Sequence, residues 1–395
     1  MAAAQVIFLV AGSALAVLPW RRLPGWVGPV VLVAVAMVAR LIPVSAARTA
    51  TNDLAGALAF LVLAVPLAVL LDETGFFATL AAMVGGGRHL RMGLWVLAAL
   101  VTIVFNLDAA VVLLTPLYVR IAERHNEDQL AFGFMPALLA SLASSVLPVS
   151  NLTNLIAVER LHLDSGAFVA HLAVPSLAAI AVGGWVFARL APTANQTLPA
   201  VADEPVDRGA LWVGLPIVAW LLVGFTLGER VGVPAWAVAA VALIGLMIHR
   251  RSVPWRSVPY GAALLAGGLG VLATAAAKHL PVDRLLSIGG IPGELATVGA
   301  SALGSNAVNN LPALLVTLPG LDRHRGRVWA VLLGVNIGPT LWVTGALSTL
   351  LWQATMRRLG HTVTARMYFR TAARVGAPAL AAAVAAHIFL VVMTR

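Results

Sequence analysis

The feature that most constrains this chain is a series of apolar stretches about as long as a bilayer is thick. A helix needs roughly 20 apolar residues to cross about 30 Å of hydrocarbon, and such stretches recur from residue 2 to residue 393. Of the 395 residues, 60% are hydrophobic and 11% are charged, whereas a soluble domain carries about 25% charged residues. The sequence therefore predicts an all-α polytopic membrane protein and excludes a soluble domain.

The charge and the cysteine content of the sequence exclude several classes of function. The net charge of +10 comes from arginines in short loops between apolar stretches, which is a membrane-topology signal, so we predict no nucleic-acid partner. The sequence contains no cysteine, which excludes disulfides, thiolate metal sites and thiol redox chemistry. It also lacks the GxxxxGK[ST] pattern of a phosphate-binding loop. We predict a protein that is not an enzyme, with no cofactor and no metal site.

A polar, proline-bearing linker at 191–209 divides the chain into two halves, 1–190 and 210–395. Both halves have the same predicted order, namely three spans, an interrupted apolar hairpin, a broken span and a last span, or about ten transmembrane helices and two hairpins in all. In chain order the predicted elements are spans 2–18, 26–43 and 54–71, hairpin 92–119, broken span 131–158 and span 168–189, then spans 210–228, 234–249 and 257–277, hairpin 293–319, broken span 328–356 and span 371–393.

Short sequence matches support an internal repeat. The residues Asn106-Leu-Asp-Ala109 align with Asn310-Leu-Pro-Ala313, and Val149–Leu155 occupies the position of Thr344–Leu350. Because each half contributes an odd number of spans, the second half is expected to be inserted upside down. Inverted repeats of this kind are typical of secondary transporters, whose substrate sites lie near the midplane at broken helices.

The positive-inside rule sets the predicted orientation, with the amino terminus outside. One loop, Asp322–Arg327, carries arginines on the side predicted to be outside and opposes the assignment. The arginines that support it are Arg21, Arg22, Arg88, Arg91, Arg250, Arg251, Arg256, Arg357, Arg358, Arg366 and Arg370.

The two broken spans carry polar side chains where hydrocarbon is expected. Pro148 opposes a continuous helix because proline lacks a backbone donor and clashes with the preceding turn. An unwound segment in a membrane is tolerated only where protein or water surrounds it, so we predict substrate-binding residues here. Hydrogen bonding between packed helices is the competing explanation. The candidates are Ser150, Asn151, Thr153 and Asn154 in the first half and Asn336, Thr340, Thr344 and Ser348 in the second.

The hairpin tips carry a second set of candidates, Asn106 in the first half and Asn306, Asn309 and Asn310 in the second. Helix N-termini at these tips offer free N–H groups and partial positive charge to a ligand, although asparagines also satisfy turn backbone. Asp108 lies beside the first tip. An aspartate within the membrane costs roughly 2.5–3.5 kcal/mol on insertion scales, so we predict that Asp108 binds the coupling ion, with helix capping as the alternative.

Four motifs in this order resemble the arsenical pump membrane proteins, the arsenite/antimonite permeases of the ion transporter superfamily. The motifs are Phe105–Pro116, Leu147–Leu155, Asn306–Ala313 and Gly334–Thr340 with Thr344–Trp352, and the resemblance covers most of the chain from about residue 54. It implies a scaffold with a moving transport domain and proton-coupled export of trivalent arsenic or antimony. The chain departs from the family pattern where Leu107 separates Asn106 from Asp108, and at Asn336 and Thr340, where the family tends to have aspartate and lysine.

Three functions stay open at this point. The first is proton-coupled export of arsenite or antimonite across the cytoplasmic membrane, in which a neutral trihydroxide meets hydroxyl and amide groups. The second is sodium- or proton-coupled transport of a small anion such as a dicarboxylate, and the third is a passive channel. The expected partners are the small substrate, protons or sodium ions, and the lipid bilayer. A homodimer and a separate ATPase subunit stay open as further partners.

Overall fold

The computed structural model describes residues 2–17, 23–84, 89–190 and 206–394. These residues form eighteen α-helices, and no β-strand occurs among them. In chain order the helices are α1 (Ala2–Val17), α2 (Val27–Val38), α3 (Val44–Asp72), α4 (Phe76–Val84), α5 (Leu90–Phe105), α6 (Leu107–Arg124), α7 (Gln129–Leu142), α8 (Leu152–Leu161), α9 (Ser165–Leu190), α10 (Arg208–Leu227), α11 (Ala235–Arg250), α12 (Tyr260–Ala277), α13 (Val282–Leu286), α14 (Gly290–Val308), α15 (Asn310–Leu321), α16 (Val328–Ile337), α17 (Leu347–Arg358) and α18 (Ala365–Met393).

The all-α membrane fold is confirmed. Within the described ranges, five helices are long and apolar enough to cross a bilayer by length and composition, namely α3, α9, α10, α12 with its preceding turn, and α18. The predicted linker at 191–209 is described only from residue 206 onward. Arg21, Arg22 and Arg88 lie outside the described residues. The helix order is the same in the two halves, and their inverted arrangement stays a prediction.

Both predicted hairpins are present, and each turns at a single asparagine. Asn106 and Asn309 have φ of 85° and 81° and ψ of 150° and 153°, a left-handed φ that asparagine adopts more readily than most residues. Each caps the helix that follows: Asn106 Oδ1 accepts from the backbone N–H of Asp108 at 2.8 Å, and Asn309 Oδ1 accepts from that of Leu311 at 3.4 Å.

This geometry corrects the repeat alignment at the hairpins by one residue. Asn106 is equivalent to Asn309, whereas the sequence match had paired it with Asn310. Asp108 is consequently equivalent to Leu311. The match was wrong because three asparagines within five positions, 306–310, offer more than one register, and only the turn conformation distinguishes them.

The predicted breaks in the two long spans are also present. After α7 ends, Pro148 begins a short 3-10 turn and α8 begins only at Leu152. In the second half a 3-10 turn follows α16 and α17 begins at Leu347. The N-cap residues Asn151 and Ala346 have nearly the same extended backbone, with φ of −149° and −142°, so the alignment of Val149–Leu155 with Thr344–Leu350 is consistent with the structure.

The helices pack as two groups that meet along α3 and α12. The first helix group consists of α1, α2, α3, α10, α11 and α12, and the second consists of α5–α9 and α14–α18. Most contacts between the groups run from α3 to α6 and α8 and from α12 to α15, and a few more run from α1 to α14 and from α3 and α10 to α5. Within the second group, the buried Trp352 donates its indole N–H to the Gly133 carbonyl at 2.6 Å and joins α17 to α7.

Carboxylates neutralise two arginines of the loop that opposes the predicted orientation. Arg323 donates to Asp283 on α13, with Nε to Oδ1 at 3.2 Å, and Arg327 donates to Glu294 on α14. The arginine hydrogen bond holds the pKa of the exposed Asp283 carboxyl below its ordinary value. Glu294 also contacts the buried His387 of α18 at 3.1 Å. The loop therefore carries less net positive charge than its sequence indicates. It is for this reason weaker evidence against the predicted orientation with the amino terminus outside.

Candidate functional site

A small cavity of about 30 Å³ lies where both hairpin tips and both broken segments meet. The first group closes it through apolar side chains of α3 and α12, and the second group supplies the polar ones. The lining residues are Leu61, Leu107, Asp108, Asn151, Leu152, Thr153, Leu265, Ala266, Leu269, Asn309, Asn310, Leu311 and Leu347. The site is thus built at the junction of the two helix groups, and we call this space the central cavity.

A buried amide network ties the first broken segment to the second half. Asn336 on α16 accepts from Asn151 Nδ2 at 2.7 Å and from Thr153 Oγ1 at 2.9 Å, both through its Oδ1. Its own Nδ2 donates to Asn154 Oδ1 at 2.6 Å. All four side chains are buried. Two of them, Asn151 and Thr153, also line the central cavity, so the network fixes the orientation of polar groups that a substrate would meet.

Side chains of the first break replace the missing helical hydrogen bonds. Asn154 Nδ2 donates to the Ser144 carbonyl at 2.7 Å, and Ser150 Oγ accepts from the backbone N–H of Leu147 at 3.3 Å. Ser150 Oγ also donates to the Ile103 carbonyl near the end of α5 at 2.8 Å. Backbone groups left unpaired in a membrane cost several kcal/mol each. Ser150 and Asn154 therefore satisfy the unwound backbone, and neither lines the central cavity.

The second hairpin is held against the second break in the same manner. Asn306 Nδ2 donates to the Gly338 carbonyl at 2.9 Å, and Thr344 Oγ1 donates to the Asn306 carbonyl at 2.9 Å. The backbone N–H of Asn310 donates to the Gly345 carbonyl at 2.9 Å. Asn309 Nδ2 lies 3.4 Å from the Thr344 carbonyl. These contacts lock the hairpin tip in place, and Asn309 and Asn310 reach the central cavity.

Asp108 is the charged residue of the cavity lining. It lies in the first turn of α6, where the helix N-terminus stabilises negative charge. Its side chain is 6% exposed, and Oδ1 is buried with no hydrogen-bond partner among the described residues. An unpaired buried acceptor is costly, and a bound cation or proton at Asp108 would remove that cost.

The sequence candidates divide into three sets. Five of them line the central cavity: Asp108, Asn151, Thr153, Asn309 and Asn310. A second set lies behind the lining and holds it in place: Asn106, Ser150, Asn154, Asn306, Asn336 and Thr344. In the third set, Thr340 bonds within its own turn, and the buried hydroxyl of Ser348 has no partner in the described ranges.

Sequence reasoning missed the apolar part of the lining. Leu61 on α3 and Leu265, Ala266 and Leu269 on α12 close the cavity from the first helix group. Apolar residues in a transmembrane helix carry no signal that separates a cavity wall from lipid contact or core packing. A search for polar residues in apolar stretches therefore finds the wall that the second helix group forms and omits the wall that α3 and α12 form.

Comparison with known proteins agrees with this architecture. The chain matches the CitMHS family model, described as citrate transporter, over residues 15–347. It is 27% identical to the arsenical pump membrane protein of Yersinia enterocolitica over 92% of each protein, and 28% identical to that of Escherichia coli K12 over 81% of this chain and 83% of the relative. The resemblance predicted from the motifs is confirmed.

A solved structure supports the fold. The crystal structure of the YdaH transporter of Alcanivorax borkumensis, reported for its unusual topology, superposes with a TM-score of 0.56 and 14% identity over 88% of each chain. The likeness supports the fold. The family match over most of the sequence, together with the hairpins and the broken helices, identifies the chain as a multi-pass membrane transporter that belongs to the CitMHS family.

Proposed function

We propose that this protein exports arsenite or antimonite across the cytoplasmic membrane by alternating access, coupled to protons. The observation that carries the proposal is the chemistry of the central cavity. Its polar lining consists of three asparagines, one threonine and one aspartate, and it contains no arginine, lysine or histidine among the described residues. Amide and hydroxyl groups suit a neutral trihydroxide, which needs hydrogen-bond partners of both kinds.

The size of the central cavity supports a small substrate. One water molecule needs about 10–15 Å³ of cavity space, so the volume of about 30 Å³ has room for about two water molecules. A solute of four heavy atoms enters such a space with less rearrangement than a dicarboxylate or citrate. The absence of sulfur ligands is compatible with the proposal, because the hydroxyl groups of the substrate, and not the metalloid atom, meet the protein.

Asp108 supplies the coupling group in this proposal. It is the lining residue that can change charge, and its Oδ1 has no protein partner within the described chain. If the carboxylate binds a proton from one side and releases it to the other, the charge in the cavity changes once in each cycle. The two helix groups that meet at the cavity supply the surfaces that separate in alternating access.

The second candidate is coupled transport of a carboxylate anion, which the description of the matched family favours. The first turns of α6 and α15 both line the central cavity, and their N-termini would attract an anion. A carboxylate in this cavity would, however, lie beside Asp108 without a neutralising side chain in the described lining. A bound cation at Asp108 would have to offset that repulsion.

Transport in everted membrane vesicles tests both candidates. The vesicles come from cells without arsenic exporters, and a pH gradient with an acidic interior is imposed on them. Uptake of arsenite and of antimonite is then compared with uptake of citrate and succinate, with and without sodium. Our proposal predicts metalloid uptake that collapses when the pH gradient is dissipated. Uptake of a carboxylate with no metalloid uptake would establish the second candidate instead.

Variants connect the activity to the site. Asp108→Asn keeps the shape and the helix cap but removes the ionisable group, so we expect accumulation against a gradient to be lost. Asp128→Asn is the matched control, because Asp128 is an exposed N-cap at α7 and asparagine caps equally well. Equal loss in both variants would exclude a specific role for Asp108. A passive channel would equilibrate substrate and ignore the pH gradient.

A further inference from the structure

A second, larger cavity lies on the other side of the first broken segment. It has a volume of about 560 Å³ and is bounded by α8, the turn after it, the end of α10 and the start of α11. We call it the vestibule and define it by Val149, Leu155, Val158, Phe225, Arg230 and Val233. It is more than ten times as large as the central cavity and is only partly enclosed by protein.

One short segment separates the two cavities. Pro148, Val149 and Leu155 line the vestibule, whereas Asn151, Leu152 and Thr153 line the central cavity. The 3-10 turn and the first turn of α8 are therefore a shared wall, about one helical turn thick. A solute in the vestibule is kept from the central cavity by this wall and by the surface of α3 against which α8 packs.

Three residues on one face of α3 complete the barrier. Asp53, Gly56 and Phe60 follow the i, i+3, i+7 spacing of a single helix face. Phe60 is buried and lies next in sequence to Leu61, which lines the central cavity. The face thus runs from the inner site outward. Two of its residues meet side chains that line the vestibule, and Asp53 meets Arg160, the residue of α8 that follows the vestibule residue Glu159.

The contacts along this face differ in kind. Phe60 packs edge-to-face on Phe225, a vestibule residue, with ring centroids 5.8 Å apart. At Gly56 the Glu159 carboxylate fills the space of a side chain, since a methyl group there would lie 2.6 Å from Oε1. Arg160 forms an ion pair with Asp53, with Nη1 to Oδ1 at 3.3 Å.

We propose that Asp53 and Gly56 on α3 and their partners Arg160 and Glu159 on α8 form a gate between the vestibule and the central cavity, so that the vestibule is the access path for the transported substrate. Phe60 and Phe225 both belong to the first helix group and form a fixed side of the vestibule. The inference rests on the proposed transport function. The gate closes between α3 of the first helix group and α8 of the second, which is the boundary where the groups move apart in alternating access.

The chemistry of these contacts suits a gate better than a permanent junction. The Arg160 and Asp53 side chains are 47% and 27% exposed, so water can replace their ion pair at small cost. At Gly56 the contact is made by the far end of the flexible Glu159 side chain and not by a packed apolar core. By contrast, the hydrogen bonds that hold α8 to α16 within the second group are fully buried, so α8 is expected to leave α3 before it leaves α16.

Cysteine accessibility tests the gate without any substrate, because the chain has no native cysteine. Val158→Cys places a thiol in the vestibule and Leu269→Cys places one in the central cavity. In protein held in lipid nanodiscs, a membrane-impermeant thiol reagent should modify Val158→Cys rapidly and Leu269→Cys slowly. Adding Arg160→Ala should raise the Leu269→Cys rate about two- to fivefold, the range that an exposed ion pair can supply.

Arg323→Ala is the matched control, since it breaks an exposed ion pair to Asp283 far along the chain from α8. It should leave the Leu269→Cys rate unchanged. Asp53→Ala should act like Arg160→Ala, and combining the two should add nothing. An unchanged Val158→Cys rate verifies that each variant is folded.

Two results would overturn the gate: Leu269→Cys reacting as fast as Val158→Cys in the parent chain, or equal rates with Arg160→Ala and Arg323→Ala. A second measurement separates this inference from the choice of substrate. A short bis-thiol cross-linker is applied to Asp53→Cys/Arg160→Cys, and it should block transport of whichever substrate the vesicle assay identifies, with recovery on reduction. Transport that persists in the cross-linked protein contradicts the gate even if arsenite is the substrate.

Discussion

Replacing Asn336 with alanine tests the buried amide network at its centre. The side chain is 1% exposed and accepts from Asn151 and Thr153 while donating to Asn154. Its removal deletes three hydrogen bonds of 2.6–2.9 Å and leaves two donors and one acceptor without their partner. Each orphaned buried group costs about 1–3 kcal/mol.

At the low end of that range, the three orphaned groups together lower the free energy of unfolding by about 3 kcal/mol. We take the low end because water can enter the space that the amide leaves. Unfolding of the purified protein in mixed micelles, followed by tryptophan fluorescence as denaturing detergent increases, measures the difference. Asn52→Ala, on the exposed surface of α3, is the matched control and should stay within about 0.5 kcal/mol of the parent.

Coupling to a neighbour gives a sharper test of the same reasoning. Once Asn336 is alanine, Asn151 has already lost its partner, so Asn151→Ala should cost less in that background than in the parent chain. An Asn336→Ala protein as stable as the Asn52→Ala control would refute the network as a source of stability. Strictly additive effects of Asn336→Ala and Asn151→Ala would refute the direct contact between them.

Three further predictions concern stability. Trp352→Phe removes the hydrogen bond to the Gly133 carbonyl and part of a buried ring, and should lower the free energy of unfolding by about 1–3 kcal/mol. Asn309 has φ of 81°, so Asn309→Val should be less stable than Asn309→Gly by at least about 1 kcal/mol in the same micelle assay. Arg323 lowers the folded-state pKa of Asp283 below 3.8, so the Asp283 contribution is present above that pH and lost as pH falls through the lowered value. Thermal melts of the parent and Asp283→Asn should therefore differ at neutral pH and converge in acid.

The sequence was sufficient to predict the breaks because membrane burial makes polar residues conspicuous. Pro148 and the four polar residues that follow it within six positions stand out against leucine and alanine, and unwound backbone in hydrocarbon needs such side chains. Ser150 accepts from the Leu147 N–H and Asn154 donates to the Ser144 carbonyl, so both satisfy backbone groups of the break directly. The same physical cost explains why hairpins were predictable from an interruption in an apolar stretch of suitable length.

Other features had no such signal. The short helices α4 and α13 connect longer elements and were not predicted, because a connector of five to nine residues has too few turns for a clear period. The span predicted at 54–71 begins ten residues earlier, at Val44, because its polar start, with Arg48 and Asp53, was assigned to a loop. That extension carries the outer part of the proposed gate.

The corrected hairpin register leaves the two halves chemically unequal at the position of Asp108, which the first alignment had paired with Pro312. Asn106 and Asn309 perform the same turn, but two residues later the first half has Asp108 and the second has Leu311, and both line the central cavity. A site with two carboxylates would repel its own charge or require two cations. With one, a single proton neutralises the lining, which otherwise consists of amide, hydroxyl and apolar groups. The coupling role in our proposal therefore falls on the first half, and the second half contributes the amides Asn309 and Asn310 to the substrate.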